Sequence, residues 1–583
     1  MVPAKEERTG VRIATRLLPL LLLAACVARA PDVAPVTSSG SAAVSAADPR
    51  AAEAGRQILA RGGSAADAAM AVMLALTVVE PQSSGVGGGS FLVYHDTKTG
   101  LATYDGREEA PSSASPTWFL DASGKPPASF DEARTGGRAA GVPGNLANMA
   151  LAHKQHGKLP WAALFEPAIK LARDGFAVTP RFHGVLVAYR DFLAASPQGR
   201  TLYYQPDGAP KPLGTIVRNP ELAKLFEEVA ARGVDHYYRG APAERLVAAV
   251  RSSPSHPSSM TKADVAAYEA RPRDPVCGRY RVYRICGMGP PSSGGPAVYA
   301  ILKQLERFDL PSRKREDPTT WHLVAESMRL AYADRAKWIG DPDHVAVPTA
   351  GLMSDAYLAE RSSLIAADKR MAKAEAGNPP GAMNIAEAPD TEVAGTSSFA
   401  VADAAGNVAS MTSTVEAPFG SGVLVDGYVL NNELTDFNLV PDEDGKPTAN
   451  RVEPGKRPRS SMAPMIAYDA AGKPVLAIGA AGGATIIAQV AKAMIGVLDW
   501  KMSVQDAIAM PQLVAMGDLV RVEKGTALEA MAPTLERFGH KVQATALPLK
   551  ANGVELTASG WRGGADPRSE GESIAFGQAV LNP

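Results

Sequence analysis

Apolar positions change period several times along this chain, and each change marks an element. Asp48-Pro49 supplies a cap and a first-turn proline, so a helix is predicted to start there and stop at Gly62-Gly63. Ser64 then caps a second, very Ala-rich helix running to Val79 before Glu80-Pro81. Its small side chains on every face predict burial. The glycine run from Ser83 to Gly89 opens into the strand FLVYHD, which predicts tight backbone packing; it lacks the Gly-Lys-Ser/Thr ending of a phosphate loop. Between residues 140 and 270 apolar residues recur at helical spacing, as in WAALFEPAIKLARDGF and PAERLVAAVRSS. From about 275 a strand-like stretch, GRYRVYRI, leads through PPSSGG to a long helix containing ESMRLAYADRAKWIG. Residues 370 to 390 are polar, rich in Ala, Gly and Pro and aperiodic, which predicts an exposed or cleavable linker.

The pattern then switches sharply to alternation. Thr396 begins TSSFAVADAAGNVASMTSTVEA, two strands around Ala404-Ala405-Gly406, with glycine where a three-residue loop needs a left-handed residue. If Asp403 and Asn407 flank that loop, Thr396 lies directly across from Thr414, with Glu416 two residues further on the same face. A charged loop at 440 to 458, the strand KPVLAIGA, and Gly482-Gly483 opening the helix ATIIAQVAKAMIGVL complete the series.

The N-terminus reads as an export signal. Lys5, Arg8, Arg12 and Arg16 precede an apolar run from Leu17 to Ala25 that is too short to span a bilayer. Leu23-Ala24-Ala25-Cys26 resembles a lipoprotein box, so residues 1–25 are expected to be removed and Cys26 lipidated; cleavage after Ala28-Arg29-Ala30 is the competing reading. Residues 26–47 are expected to be a flexible tether, and the protein periplasmic or secreted. With 583 residues, a net charge of −1, 46% hydrophobic and 21% charged residues, the chain is an ordinary large globular protein and not a polyanion binder, so nucleic acid is not an expected partner. The 54 Gly and 46 Pro favour a loop-rich α/β build over a bundle. Of three cysteines, Cys277 and Cys286 flank GRYRVYRI and are either two buried thiols or one disulfide.

Conventional catalytic patterns are missing. The nine His are scattered, and neither a Gly-x-Ser-x-Gly elbow nor His-Glu-x-x-His or Cys-x-x-Cys spacing occurs. An N-terminal threonine needs none of these. A cut before Thr396 would place an α-amine, with a reference pKa near 8, beside the hydroxyl of the same residue as its general base. An uncut hairpin with Thr396 as a plain strand residue is the competing reading.

The chain resembles the γ-glutamyltransferase (γ-glutamyltranspeptidase, glutathione hydrolase) family of N-terminal-nucleophile hydrolases from about residue 48 to its end. The stretches that carry the likeness include GGSAADAAMAVMLAL, VVEPQSSGVGGGSF, DGREEAP, PPSSGG, GTSSF, FGSGVLVDGYVLNNELTDF, KRPRSSMAP, AAGGATII and ADPRSEG, in shared order. The resemblance implies an α+β fold, a four-layer αββα sandwich, made as one precursor and self-cleaved between Gly395 and Thr396 into a large chain (48–395) and a small chain (396–583). It implies Thr396 as nucleophile, Thr414 as its supporting hydroxyl, and Gly482 and Gly483 as oxyanion donors. Arg107, Ser460 and Ser461 would grip the α-carboxylate of a γ-glutamyl group; Glu416, Glu433 and Asp436 would hold its α-ammonium. The expected substrate is glutathione or a similar amide, with no metal or organic cofactor. Departures from the family pattern are Ser397-Ser398 where many members carry Thr-His, and a shorter loop between Phe437 and Ser460, which suggests an open site. Two rivals remain: a cephalosporin (glutaryl) acylase of the same fold, and an unprocessed binding lipoprotein without activity.

Overall fold

In the computed structural model, which describes residues 39–388, 393 and 395–577, the expected elements assemble into two antiparallel sheets with helices outside each. The signal segment, Cys26 and its competing cleavage site lie outside the described residues. The first sheet runs, edge to edge, Glu572–Phe576, Ala42–Ala46, Ser397–Ala402, Val408–Thr414, Gly89–Asp96, Gly100–Gly106 and Arg271–Arg273. The second runs Gly560–Ala565, Lys550–Thr557, Pro474–Ala481, Met465–Tyr468, Tyr283–Gly287 and Val276–Tyr280.

Alternation along the central strands makes the layers. Ala400 and Ala402 join Ile466, Leu476, Ile478 and Val554 in a core between the sheets, shared with the helices Gly294–Leu305, Pro318–Trp338 and Thr485–Leu498. Phe399 and Val401 point the other way, into a second core with the helices Pro49–Ala60 and Ala65–Val79. Every residue of Ala65–Val79 is buried, as its alanine content predicts, and Ser64 with Asp67 forms a capping box at its start. This is the four-layer αββα arrangement.

Strands from before and after position 396 interleave in one sheet. Ala42–Ala46 is paired on one side with Ser397–Ala402 and on the other with Glu572–Phe576, while Val408–Thr414 pairs with Gly89–Asp96. A cut at 395/396 therefore leaves two chains joined by ladders of backbone hydrogen bonds and two common cores.

One expectation is corrected. The tether was expected to reach residue 47, but Ala42–Ala46 is a fully buried strand; its small residues look like low complexity in sequence yet fit between two neighbouring strands. The strand-like stretch GRYRVYRI is a hairpin of Val276–Tyr280 and Tyr283–Gly287 turning at Arg281, whose φ of 53° is a left-handed conformation that nothing in the sequence announces. The hairpin sets Cys277 directly across from Cys286, and the two form a disulfide.

Candidate active site

The hairpin register is the one expected from the loop. Asp403 N–H donates to Asn407 O at 3.0 Å, Gly406 takes φ 88°, and Ser397 pairs with Ser413, which sets Thr396 opposite Thr414. Their hydroxyl oxygens are 3.0 Å apart. The Glu416 amide donates to Thr414 Oγ1 at 2.7 Å, which fixes the orientation of that hydroxyl beside Thr396.

The backbone around the Gly395–Thr396 bond is tightly built. Thr396 holds φ at 81°, a strained conformation for a β-branched residue that costs on the order of 1–3 kcal/mol. Its N–H donates to Ser83 O at 3.0 Å, and the same carbonyl accepts Val415 N–H at 3.2 Å. A Cβ at Gly395 would lie 1.6 Å from Glu416 O, and one at Gly88 would lie 1.8 Å from Thr414 O. The glycine run thus serves backbone packing against the catalytic hairpin, as expected.

The expected catalytic and substrate-binding residues other than Gly482 line one small pocket: Arg107, Thr396, Thr414, Glu416, Glu433, Asp436, Ser460, Ser461 and Gly483. Gly482 lies in an adjacent cleft, together with Gly395 and Lys550. Gly482 and Gly483 have φ of 133° and 58°, and a Cβ on Gly482 would meet Pro548 O at 2.4 Å, so the turn is restricted to glycine. No acceptor for either glycine amide is found among the described residues, and the pair precedes the helix Thr485–Leu498. This suits donors held ready for an oxyanion.

Arg107 is buried in an acidic nest. Its Nη1 bonds Glu433, its Nη2 donates to Asp436 Oδ2 at 2.6 Å and to Arg459 O at 2.7 Å, and its Nε donates to Pro458 O at 3.1 Å. The arginine expected to bind a carboxylate and two acids expected to bind an ammonium are therefore paired with one another in the uncut chain. Glu416 accepts from Asn432 Nδ2 at 2.7 Å and from the Val393 amide at 3.0 Å. Burial, reinforced by Asp436 and Glu433, pushes the Glu416 carboxyl well above the usual range. Burial likewise raises Glu433, with Arg107 opposing and Glu108 adding to the rise. Val393 also lines the pocket, so the chain just before the cleavage point shares the space the pocket encloses. In this uncut state Thr396 is only 4% exposed.

Ser461 Oγ accepts from Arg335 Nη2 at 2.8 Å, and Arg335 Nε donates to Ser293 Oγ at 2.7 Å. Ser460 Oγ accepts the Met462 amide at 3.1 Å. Sequence reasoning missed Arg335, which lies on the helix Pro318–Trp338 with no local motif. It also missed Glu108, 3.8 Å from Arg107 Nη1 and raised to about 7 by burial, although the residue stands next to Arg107 in DGREEAP.

Comparison with known proteins gives the family. The family description Gamma-glutamyltranspeptidase matches residues 51–576. The chain is 36% identical to the glutathione hydrolase proenzyme of Bacillus subtilis, over 91% of each chain, and 34% identical to that of Escherichia coli, over 90% of each. Among solved structures it superposes on the cephalosporin acylase of Bacillus halodurans with a TM-score of 0.81 and 27% identity, covering 94% of this chain and 99% of that one. A match across nearly the whole folded length, with the Thr396–Thr414 pair and the acidic nest in one pocket, places this chain in the gamma-glutamyltranspeptidase family.

Proposed function

We propose that the chain is a self-processing γ-glutamyl hydrolase and transferase acting on glutathione and related γ-glutamyl amides. The observation that carries this reading is the convergence of a Thr–Thr hydroxyl pair, an arginine and three carboxylates on one buried pocket. In the precursor, Thr396 Oγ1 attacks the Gly395 carbonyl carbon, the C–N bond breaks and an ester forms; water then releases the Gly395 carboxylate and leaves Thr396 as a terminus. The strained φ at Thr396 favours that first step.

In the mature protein the Thr396 amine takes the hydroxyl proton as Oγ1 bonds the γ-carbonyl carbon. The amides of Gly482 and Gly483 receive the oxyanion. The ammonium then returns its proton to the departing amine, here that of Cys-Gly. Water or an acceptor amine resolves the γ-glutamyl ester. The α-carboxylate of the substrate replaces Glu433 and Asp436 as partner of the Arg107 fork, with Ser460 and Ser461 completing the grip, while its α-ammonium takes those acids and Glu416. The zwitterion thus exchanges partners with an arginine and carboxylates that are already paired with one another.

Export and anchoring through lipidated Cys26 belong to this reading and rest on the N-terminal sequence alone. The similarity to a cephalosporin acylase favours a second reading, a glutaryl acylase. The acidic nest weighs against it, because a glutaryl group has no ammonium. Rates on γ-glutamyl- and glutaryl-p-nitroanilide decide: preference for the γ-glutamyl compound supports the proposal, and preference for glutaryl overturns it.

A further inference from the structure

A second ionic cluster lies on the other side of Thr396, outside the pocket that would hold the γ-glutamyl group. Lys550, the first residue of Lys550–Thr557, is buried. Its ammonium donates to Glu80 Oε2 at 2.8 Å, Ser397 Oγ at 3.2 Å and Ser83 Oγ at 3.3 Å, so each of its three hydrogens has an acceptor. Ser397 Oγ donates to the same Glu80 oxygen at 2.6 Å, and Arg181 Nη1 donates to the other at 2.7 Å.

Two of the Lys550 partners, Ser83 and Ser397, adjoin the Thr396 nitrogen. Ser397 follows Thr396 in the chain. Ser83 O is the acceptor of the Thr396 N–H at 3.0 Å. Lys550 pairs across the second sheet with Ala481, the residue before Gly482. The cleft containing Lys550 also holds Gly395 and Gly482. A buried Lys–Glu pair is a poor device for stability alone, since packed apolar residues of similar size usually do as well. Its bonds to the two residues that flank the Thr396 nitrogen, Ser83 and Ser397, call for another reason.

We infer that Lys550 and Glu80 are positioning residues for the Thr396 α-amine, holding its acceptor Ser83 and its neighbour Ser397 in place and setting how readily the amine binds a proton. The inference rests on the proposed function, because the amine exists only once the chain is cut. At neutral pH Lys550 takes no part in the proton transfers. The proton shuttles between Thr396 Oγ1, the Thr396 amine and the leaving nitrogen, and none is exchanged with the cluster. The positive charge of Lys550 disfavours a second positive charge on the amine, and the negative charge of Glu80 favours it. Arg181 and Arg568, which line the cleft, add to the first effect, and the nearby Asp48 adds to the second. Burial lowers the Lys550 ammonium to about 8, with Glu80 opposing, so its charge is held at neutral pH and fades above it.

The test is the pH profile of kcat/KM on γ-glutamyl-p-nitroanilide for processed wild type, Lys550→Met, Lys550→Arg and Glu80→Gln. Lys550→Met leaves Glu80 less neutralised, so the acid limb moves to higher pH, by on the order of one unit. Glu80→Gln moves it to lower pH by a similar amount, and Lys550→Arg keeps it near wild type. Loss of packing alone would lower rates without shifting the two limbs in opposite directions. Coincident limbs, or shifts of the same sign, overturn the inference. If Lys550→Met does not process, Glu80→Gln decides: a shift to lower pH supports the inference, and an unmoved or raised limb overturns it. A wild type that is processed and active while the variants fail these tests defeats this inference alone. A wild type that is neither processed nor active defeats the functional assignment beneath it.

Discussion

Thr396 and Thr414 face each other across two adjacent strands with their hydroxyl oxygens 3.0 Å apart. Thr414 is held by the Glu416 amide and in turn orients the hydroxyl proposed to attack. Thr414→Ala removes that partner without disturbing the ladder. Both precursor cleavage and turnover are expected to slow by on the order of tenfold to a hundredfold. Thr414→Ser should retain most of both. A gel time course of cleavage with a parallel hydrolysis assay reads the two effects.

The junction itself tolerates no side chain. Gly395→Ala would put a Cβ 1.6 Å from Glu416 O, where only backbone movement can relieve the clash. Precursor of this variant is expected to be cut far more slowly than wild type, or to be lost as unfolded protein. Gly88→Ala, with its clash against Thr414 O, is expected to lower Tm and slow cleavage, because it displaces the strand that carries the second threonine. Cleavage half-times and melting curves check both.

Arg107 makes a planar fork to two carboxylates and two carbonyls that a lysine cannot reproduce. Arg107→Lys is expected to lose about 1.5–3 kcal/mol of substrate binding, seen as an increase in KM of about ten- to a hundredfold. Processing should continue, since Arg107 is paired with Glu433 and Asp436 while the two threonine hydroxyls are paired with each other. Equal loss of cleavage and of KM would argue against this division of labour.

Glu108 gives the uncut form a pH signature. Burial raises its carboxyl from an ordinary 4.5 to about 7. A raised carboxyl stabilises the folded chain in its protonated form; the contribution is complete below about 4.5 and is lost as pH rises through about 7. In an uncleavable Thr396→Ala background, unfolding free energy is expected to fall over that window by up to about 3 kcal/mol relative to the same chain carrying Glu108→Gln. Denaturant melts at several pH values measure the difference; parallel curves for the two chains would contradict it.

The short-range features of this site are legible in sequence because local chemistry fixes them. Gly406 determines the loop, the loop determines the register, and the register brings Thr396 to Thr414. The caps at Asp48 and Ser64 likewise fix the two helices behind that hairpin. The site as a whole was reached through family resemblance, since Arg107 and Glu433 are 326 positions apart and no periodicity joins them. The Lys550–Glu80 pair, 470 positions apart, had neither a local motif nor a quoted family role to reveal it. Glu108 was passed over for a different reason. Its burial depends on glycines at 89 and 141, whose missing side chains leave the space its own side chain fills. The strand Ala42–Ala46 was hidden by composition, because alanine and serine favour neither coil nor sheet until neighbours bury them.

Intact mass and N-terminal sequencing of the active protein put the whole account to the test. The expected result is two chains in equal amounts, the smaller one beginning at Thr396 and 188 residues long, with Thr396→Ala remaining single and inactive. Full activity in a polypeptide still continuous through Gly395 and Thr396 would contradict it.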